Sequence, residues 1–262
     1  MYCWTLGSIQ ASSHFIMIAL YRFLFLIFLI ALWWVISLNV GANLIPSPYA
    51  TFLAGEKLVA SGKLVAALGD SLVTFLGGYG LAVLVAIPVG LVMGVFAPVG
   101  KTLEMYVYAL AAMPRVAFIP LIIVFLGLGF QAKIFIVFLG AVMPVLINTY
   151  AGVLAVDDEL IEMARSVRAG RLQIFGRIVL PSAVPFIIAG LRLGATIGLI
   201  NTVVAELYTA VKGLGGLLAI YGNTFRMAEY FVIVIVLALI GVIISEGLRH
   251  LERRLVRWKT GG

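Results

Sequence analysis

"DDELIEMARSVRAGRLQIFGRIVLP", residues 157–181, is the one long charged interruption between two apolar runs deep in the chain. It reads as folded rather than as a tether. Asp157, Asp158 and Glu159 place acid at a helix start, where free backbone N–H groups and the macrodipole favour it, and Arg165 and Arg168 place base at the other end. Leu160, Ile161, Ala164 and Val167 fall on one face, so a short amphipathic helix over 158–169 is predicted, with Gly170 as its stop. A second helical piece follows, with Leu172, Phe175, Ile178 and Val179 on a stripe, and Pro181 is expected to end it. A solvated connection has no need of caps, stripes and a glycine stop. This segment is built to present a helix.

The chain around it is a membrane protein: of 262 residues, 63% are hydrophobic and only 11% charged. The expected class is all-α, with about six transmembrane helices. A net charge of +7 raises nucleic acid as a partner, but the basic residues lie in loops between apolar runs and no aromatic-and-basic surface module accompanies them. Retention of basic loops on the cytoplasmic side accounts for them instead. Cys3 is the single cysteine, which excludes an intrachain disulfide and a cysteine-based zinc site, and His14 and His250 belong to no ligand-spaced cluster. There is no Gly-x-Ser-x-Gly elbow and no pair of acids within one span, so neither a metal site nor catalysis is expected.

In order, residues 1–14 read as an extension and 15–38 as the first span, anchored by Trp33 and Trp34; the run is too long for a signal peptide and lacks a small-x-small exit. Residues 39–70 read as an external loop, with Pro46 and Pro48 forcing an extended start before a short helix. The second span, 71–98, carries Gly78, Ala82, Ala86, Gly90 and Gly94 at every fourth position, a stripe that lets another helix approach closely. At its end "GVFAPVGKT" imitates a phosphate-binding loop but fails on glycine spacing and has no strand before it. Residues 101–104 read as a connection. The third span, 105–129, contains Pro114, Arg115 and Pro120, and at about 1.5 Å per residue Arg115 lies roughly 15 Å inside it. Pore lining and a buried structural role are both open for that arginine.

The fourth span, 132–156, carries Pro144, Asn148 and Thr149, for which hydrogen bonds between helices are the commoner role. In the fifth, 183–210, Arg192 can reach headgroups. Glu206, about 21 Å further on, can cap a neighbour, pair with a base or touch a substrate path. A glycine-rich outer loop, a last span over 230–248 and a basic tail over 249–262 complete the chain, so that residues 71–248 form a core of five helices. The basic residues of the 157–181 loop and the tail, with Arg22 and Lys101, outweigh Lys57, Lys63, Lys133, Lys212 and Arg226, which places both termini and the loop in the cytoplasm.

The loop resembles the "EAA" loop of ATP-binding-cassette importer permeases, whose pattern is Glu-Ala-Ala, three residues, Gly, nine residues, Ile, any residue, Leu-Pro. Glu162, Ala164, Ile178, Leu180 and Pro181 fall on that register; Met163 stands at the second position and Arg168 at the Gly position. "PSAVPFIIAGLRLG" and "VVAEL" look like the branch that carries nitrate, taurine and aliphatic sulfonates. The resemblance implies a type I importer permease fold with a cytoplasmic coupling helix, in a bacterial inner membrane. It implies a second permease copy in a homodimer, a cytoplasmic ATPase dimer that binds the ATP, an external (periplasmic or extracellular) binding protein, and no cofactor in this chain. It implies coupling to the ATPase through Glu162, Ala164, Arg165, Ser166, Arg168 and Gly170.

The implied cargo is a small anion such as nitrate, a sulfonate, taurine or bicarbonate, and the candidate path residues are Arg115, Asn148, Asn201 and Glu206. The alternative is a secondary transporter or channel without an ATPase. Such proteins usually show internal repeats, which this sequence lacks, and the capped helix has no use there. A non-transporting scaffold is a third reading, in which Arg115 and Glu206 are replaceable by apolar residues.

Overall fold

The computed structural model describes residues 3–41, 43–209 and 212–255. They form eleven α-helices, with no strand among the described residues. Two units are distinguished: Met1–Gly62 with Tyr221–Val232, and Lys63–Ile220 with Ile233–Gly262.

The first unit is built on α1 (Cys3–Val40) and α2 (Pro48–Ala60). Nothing between Cys3 and His14 breaks a helix, since no proline occurs there, and α1 therefore starts well before the apolar run. Pro48 opens α2 rather than prolonging an extended stretch: its fixed φ suits the first helical position, and the Ser47 hydroxyl before it accepts the Ala50 N–H at 3.2 Å. Trp33 of α1 stacks on Phe231 with ring centroids 5.8 Å apart. Arg226 pairs with Glu229, whose bonded carboxylate pushes the guanidinium pKa above its already high value.

The second unit carries the remaining architecture, except for Tyr221–Val232, the end of one helix and the start of the next, which fall in the first. It begins with α3 (Lys63–Val95), eight residues ahead of the predicted span. The stripe that buries Phe75 and Gly78 already runs through Leu64, Ala67, Ser71 and Thr74, so the helix is continuous where a loop was expected. Next come α4 (Ala97–Ala112), a 3-10 turn (Arg115–Phe118) and α5 (Ile119–Leu126), with an 81° bend between the two arms. Residues 101–104, expected as a connection, lie inside α4, because Phe96 alone separates it from α3. Then follow α6 (Phe130–Leu154), the loop helix α7 (Asp158–Ser166), the single turn α8 (Arg171–Ile174), α9 (Leu180–Thr209), α10 (Leu214–Asn223) and α11 (Met227–Leu255).

Glycines fix how the long helices meet. A Cβ on Gly78 would stand 2.5 Å from that of Val137, one on Gly90 2.8 Å from that of Thr149, and one on Gly94 would run into Val153. The paired numbers rise together, so α3 and α6 are parallel, and the small-residue stripe is their contact. Across α6 and α9 the pairs Gly140/Asn201, Val145/Gly194, Asn148/Gly190 and Gly152/Phe186 run in opposite senses, so these two are antiparallel. Parallel α3 and α6 require the chain between them to return to its starting side. The bent α4–α5 pair fits that return as one broken span, and with it the described residues hold up to six segments long and apolar enough to cross a bilayer.

Pro181 does not end the second helical piece. Residues Phe175–Val179 form a π-helical turn that joins α8 to α9 without a break, giving a 39-residue stretch from Arg171 to Thr209. The wider turn carries the Leu180 N–H to the Phe175 carbonyl and makes room for a proline that has no N–H to offer.

Candidate functional site

The loop helix α7 is capped as its sequence requires: the Asp157 carboxylate accepts the Glu159 N–H at 2.9 Å, with Asp158 and Glu159 in the first turn and Arg165 in the last. Its end differs from expectation. The helix stops at Ser166, and Arg168, not Gly170, takes the left-handed conformation, at φ 60°. The Arg168 N–H reaches the Arg165 carbonyl at 2.9 Å and the Ala169 N–H reaches that of Ala164 at 3.0 Å, the paired closure normally built on glycine. Gly170 sits at φ −70° as the N-cap of α8, and its N–H is held by the Gln173 side chain at 3.0 Å. The backbone bonds are worth having whichever residue sits at the turn, so Arg168 is carried into a region that costs an L-residue about 1–2 kcal/mol.

The predicted apolar face divides in two. Ala164 is buried and Ile161 half-buried, whereas Leu160 and Val167 are exposed, Val167 to 75%, and Met163, outside the predicted face, is exposed with them. Glu162, Arg165, Ser166 and Arg168 are exposed beside them, and none of the three charges belongs to an ion pair among the described residues. Behind the helix, Ile174 and Phe175 pack against Val153, Val179, Ala183 and Ile187, so the loop is fastened to α6 and α9 through one apolar cluster.

A second set of polar residues lies at mid-span. Pro144 has no N–H for the carbonyl four residues back, which is that of Gly140. The Arg115 guanidinium fills the vacancy, Nη1 donating to the Gly140 oxygen at 3.0 Å, while Nη2 donates to the Ala111 carbonyl near the end of α4 at 3.3 Å. Asn201, buried on α9, lies on the same glycine: a Cβ at Gly140 would come 2.5 Å from the Asn201 Nδ2. Asn148 is half-buried on the α6–α9 seam beside Gly190. The hydrogen bonds of Asn148 and Thr149 are not between helices, as expected, but run back to Pro144 and Val145 of their own helix at 2.8 and 2.7 Å. Arg192 is not free for headgroups: it pairs with Glu252 of α11.

Glu206 is elsewhere and fully enclosed, at 0% exposure. The Ser71 hydroxyl lies 2.8 and 2.9 Å from its two oxygens, and the Gly215 N–H donates to it at 2.9 Å. Ser71 in turn accepts the Leu214 N–H at 2.8 Å. Of the roles open to Glu206, the structure displays the cap: it binds the start of α10. Gly213, at φ +92°, passes so close that any side chain there would collide with the carboxylate. The buried Lys133 sends its ammonium toward the Lys212 carbonyl at 3.5 Å in the same region. Sequence reasoning missed Ser71 and Gly140, whose importance lies in a partner distant in the chain.

The profile of the family described as binding-protein-dependent transport system inner membrane component matches residues 86–257. The taurine transport system permease protein of Escherichia coli is 31% identical over 237 residues, 88% of this chain and 86% of that protein. A putative aliphatic sulfonates transport permease protein of Bacillus subtilis is 33% identical over 242 residues, 88% and 85% of the two chains. Among solved structures, a chain of the MetNI methionine ABC transporter in an inward-facing conformation superposes with a TM-score of 0.65. It is 20% identical, and the match covers 73% of this chain and 95% of that one.

Proposed function

From the premise that the chain belongs to the binding-protein-dependent transport system inner membrane component family, as an ABC importer permease with the type I fold, we propose that it passes a small oxyanion delivered by an external binding protein. Nitrate, taurine, sulfonates and bicarbonate form the class. The substrates named for the relatives from Escherichia coli and Bacillus subtilis support that choice. The permease is not a catalytic subunit. In this reading ATP is hydrolysed on a separate cytoplasmic ATPase dimer, two copies of the chain enclose the path, and both termini and α7 face the cytoplasm.

One observation carries the reading: α7 presents Leu160, Met163 and Val167 outward between Glu162, Arg165 and Arg168, without partners for those charges among the described residues. An apolar strip rimmed by both signs of charge fits a groove in a protein partner. In an importer, the ATPase is the partner at this loop. Closure of the ATPase dimer draws the two copies of α7 together, and the packing of Ile174 and Phe175 on Val153 and Ala183 passes the movement to α6 and α9. The spans then exchange between two states whose populations the partner biases.

The test is a crosslink from Ser166→Cys, with Cys3 replaced, in membranes that hold the whole transporter. Capture of a nucleotide-binding ATPase, with a yield that changes on adding ATP, is expected. Uptake that runs on an ion gradient with no ATPase captured would overturn the proposal.

A further inference from the structure

We propose that Arg115 and Asn201 form one anion-binding station midway along the translocation path, a site for the oxyanion head of a sulfonate, nitrate or a like monoanion. This inference rests on the importer reading above.

Depth comes first. Gly140 is ten residues into α6 from Phe130, about 15 Å by the helical rise, and the Arg115 guanidinium is bonded to its carbonyl. The charge is therefore held near the middle of the bilayer, where a cation is costly and is normally paired.

Pairing comes second. Arg192, also within a span, has Glu252; Arg115 has two backbone carbonyls and belongs to no ion pair among the described residues. Both carbonyls are ones that the backbone itself fails to satisfy, one because of Pro144 and one because α4 ends. Capping them accounts for two of the five N–H donors of a guanidinium and cancels none of its charge. The side chain is only half-buried, so donors remain for a ligand.

Placement comes third. Asn201 commits one amide N–H to the Ile197 carbonyl at 2.8 Å and packs against Gly140, its Nδ2 2.5 Å from where a Cβ would stand on the same residue whose carbonyl holds Arg115. A planar fork of N–H groups with a neighbouring amide matches three-oxygen anions in both charge and shape. The 81° bend just before Arg115 also interrupts the span at this level, and unwound backbone at membrane depth is found where it lines a cavity or is buried in protein.

The test uses the complete transporter in vesicles, with labelled taurine, butanesulfonate and nitrate as probes and an uncharged solute, riboflavin, as control. Asn201→Asp sets a carboxylate beside Arg115 and fills the station from within. Oxyanion uptake is expected to fall more than about tenfold while the assembled complex is recovered in wild-type amounts. Arg115→Lys, which keeps the charge but loses the fork, is expected to retain on the order of a tenth of the uptake, and Arg115→Gln less. If Arg115 only caps carbonyls, an added carboxylate neutralises it harmlessly, and wild-type uptake by Asn201→Asp overturns the station alone. If the wild-type transporter carries riboflavin and none of the oxyanions, the substrate reading falls and takes the station with it. Should Arg115→Gln fail to insert, Asn201→Asp decides.

Discussion

The Ser71 hydroxyl lies 2.8 Å from the Glu206 carboxylate across 135 residues of sequence, and it accepts the Leu214 N–H at the same 2.8 Å. Three elements, α3, α9 and the start of α10, are thereby joined by one oxygen in a fully buried setting. Removing it leaves both the carboxylate and the amide short of a partner. We expect Ser71→Ala to lose about 1–3 kcal/mol, the ordinary consequence of stranding buried polar groups, and Glu206→Gln to lose less because its carbonyl still accepts the Gly215 N–H. Thermal unfolding in detergent checks this. A Ser71→Ala midpoint equal to wild type would mean that the join contributes nothing.

Helix α3 offers a comparison within one element. A Cβ at Gly78 would lie 2.5 Å from that of Val137 and 2.7 Å from the Ile134 carbonyl, whereas nothing stands within 4 Å of one at Gly80. In a bilayer close approach takes the place of the hydrophobic drive between helices, so overpacking there separates α3 from α6. Gly78→Ala should cost about 1–3 kcal/mol and Gly80→Ala essentially nothing. The fraction of each variant that stays monodisperse after heating gives the ordering, and equal fractions would contradict the parallel α3–α6 contact.

That contact was legible in the sequence, because a four-residue repeat of small side chains has few other uses in an apolar span. The break around Arg115 was legible too, from Pro114 and Pro120 on either side of it. What was not legible depends on distant partners. The carbonyl that Pro144 vacates is visible in sequence, but that Arg115 fills it is not. The early start of α3 was hidden because Lys63 and Asp70 look like loop residues, although Leu64 and Ala67 already continue the buried stripe. Pro181 was read as a stop, and a π turn, which sequence rules do not foresee, absorbs it instead. Arg168 was misplaced because left-handed turns are assigned to glycine by habit of composition, and the nearest glycine is two residues away.

Glu162 is exposed on α7 and belongs to no ion pair among the described residues, so the permease alone has little reason to hold it. Glu162→Ala should shift stability by less than about 0.5 kcal/mol, as surface changes do, and still abolish uptake. Unfolding midpoints and transport are measured on the same preparation. Wild-type uptake would overturn the coupling role proposed for Glu162, and a large loss of stability would assign it to the permease's own packing.

Arg168 gives a sharper separation, since its two roles pull in opposite directions. Held at φ 60°, it strains the end of α7, and Arg168→Gly should steady that turn by about 1 kcal/mol, seen as slower amide exchange over 158–169. Gly170→Ala, at φ −70° with its nearest neighbour 3.9 Å away, should change neither exchange nor uptake. The backbone closure accounts for the turn but not for an arginine in it, and we expect its side chain to act on something outside the chain. The glycine variant should therefore be the steadier protein and the poorer transporter. Slower exchange with undiminished uptake would leave the strain without a function, whereas unchanged exchange would show that the turn is not strained.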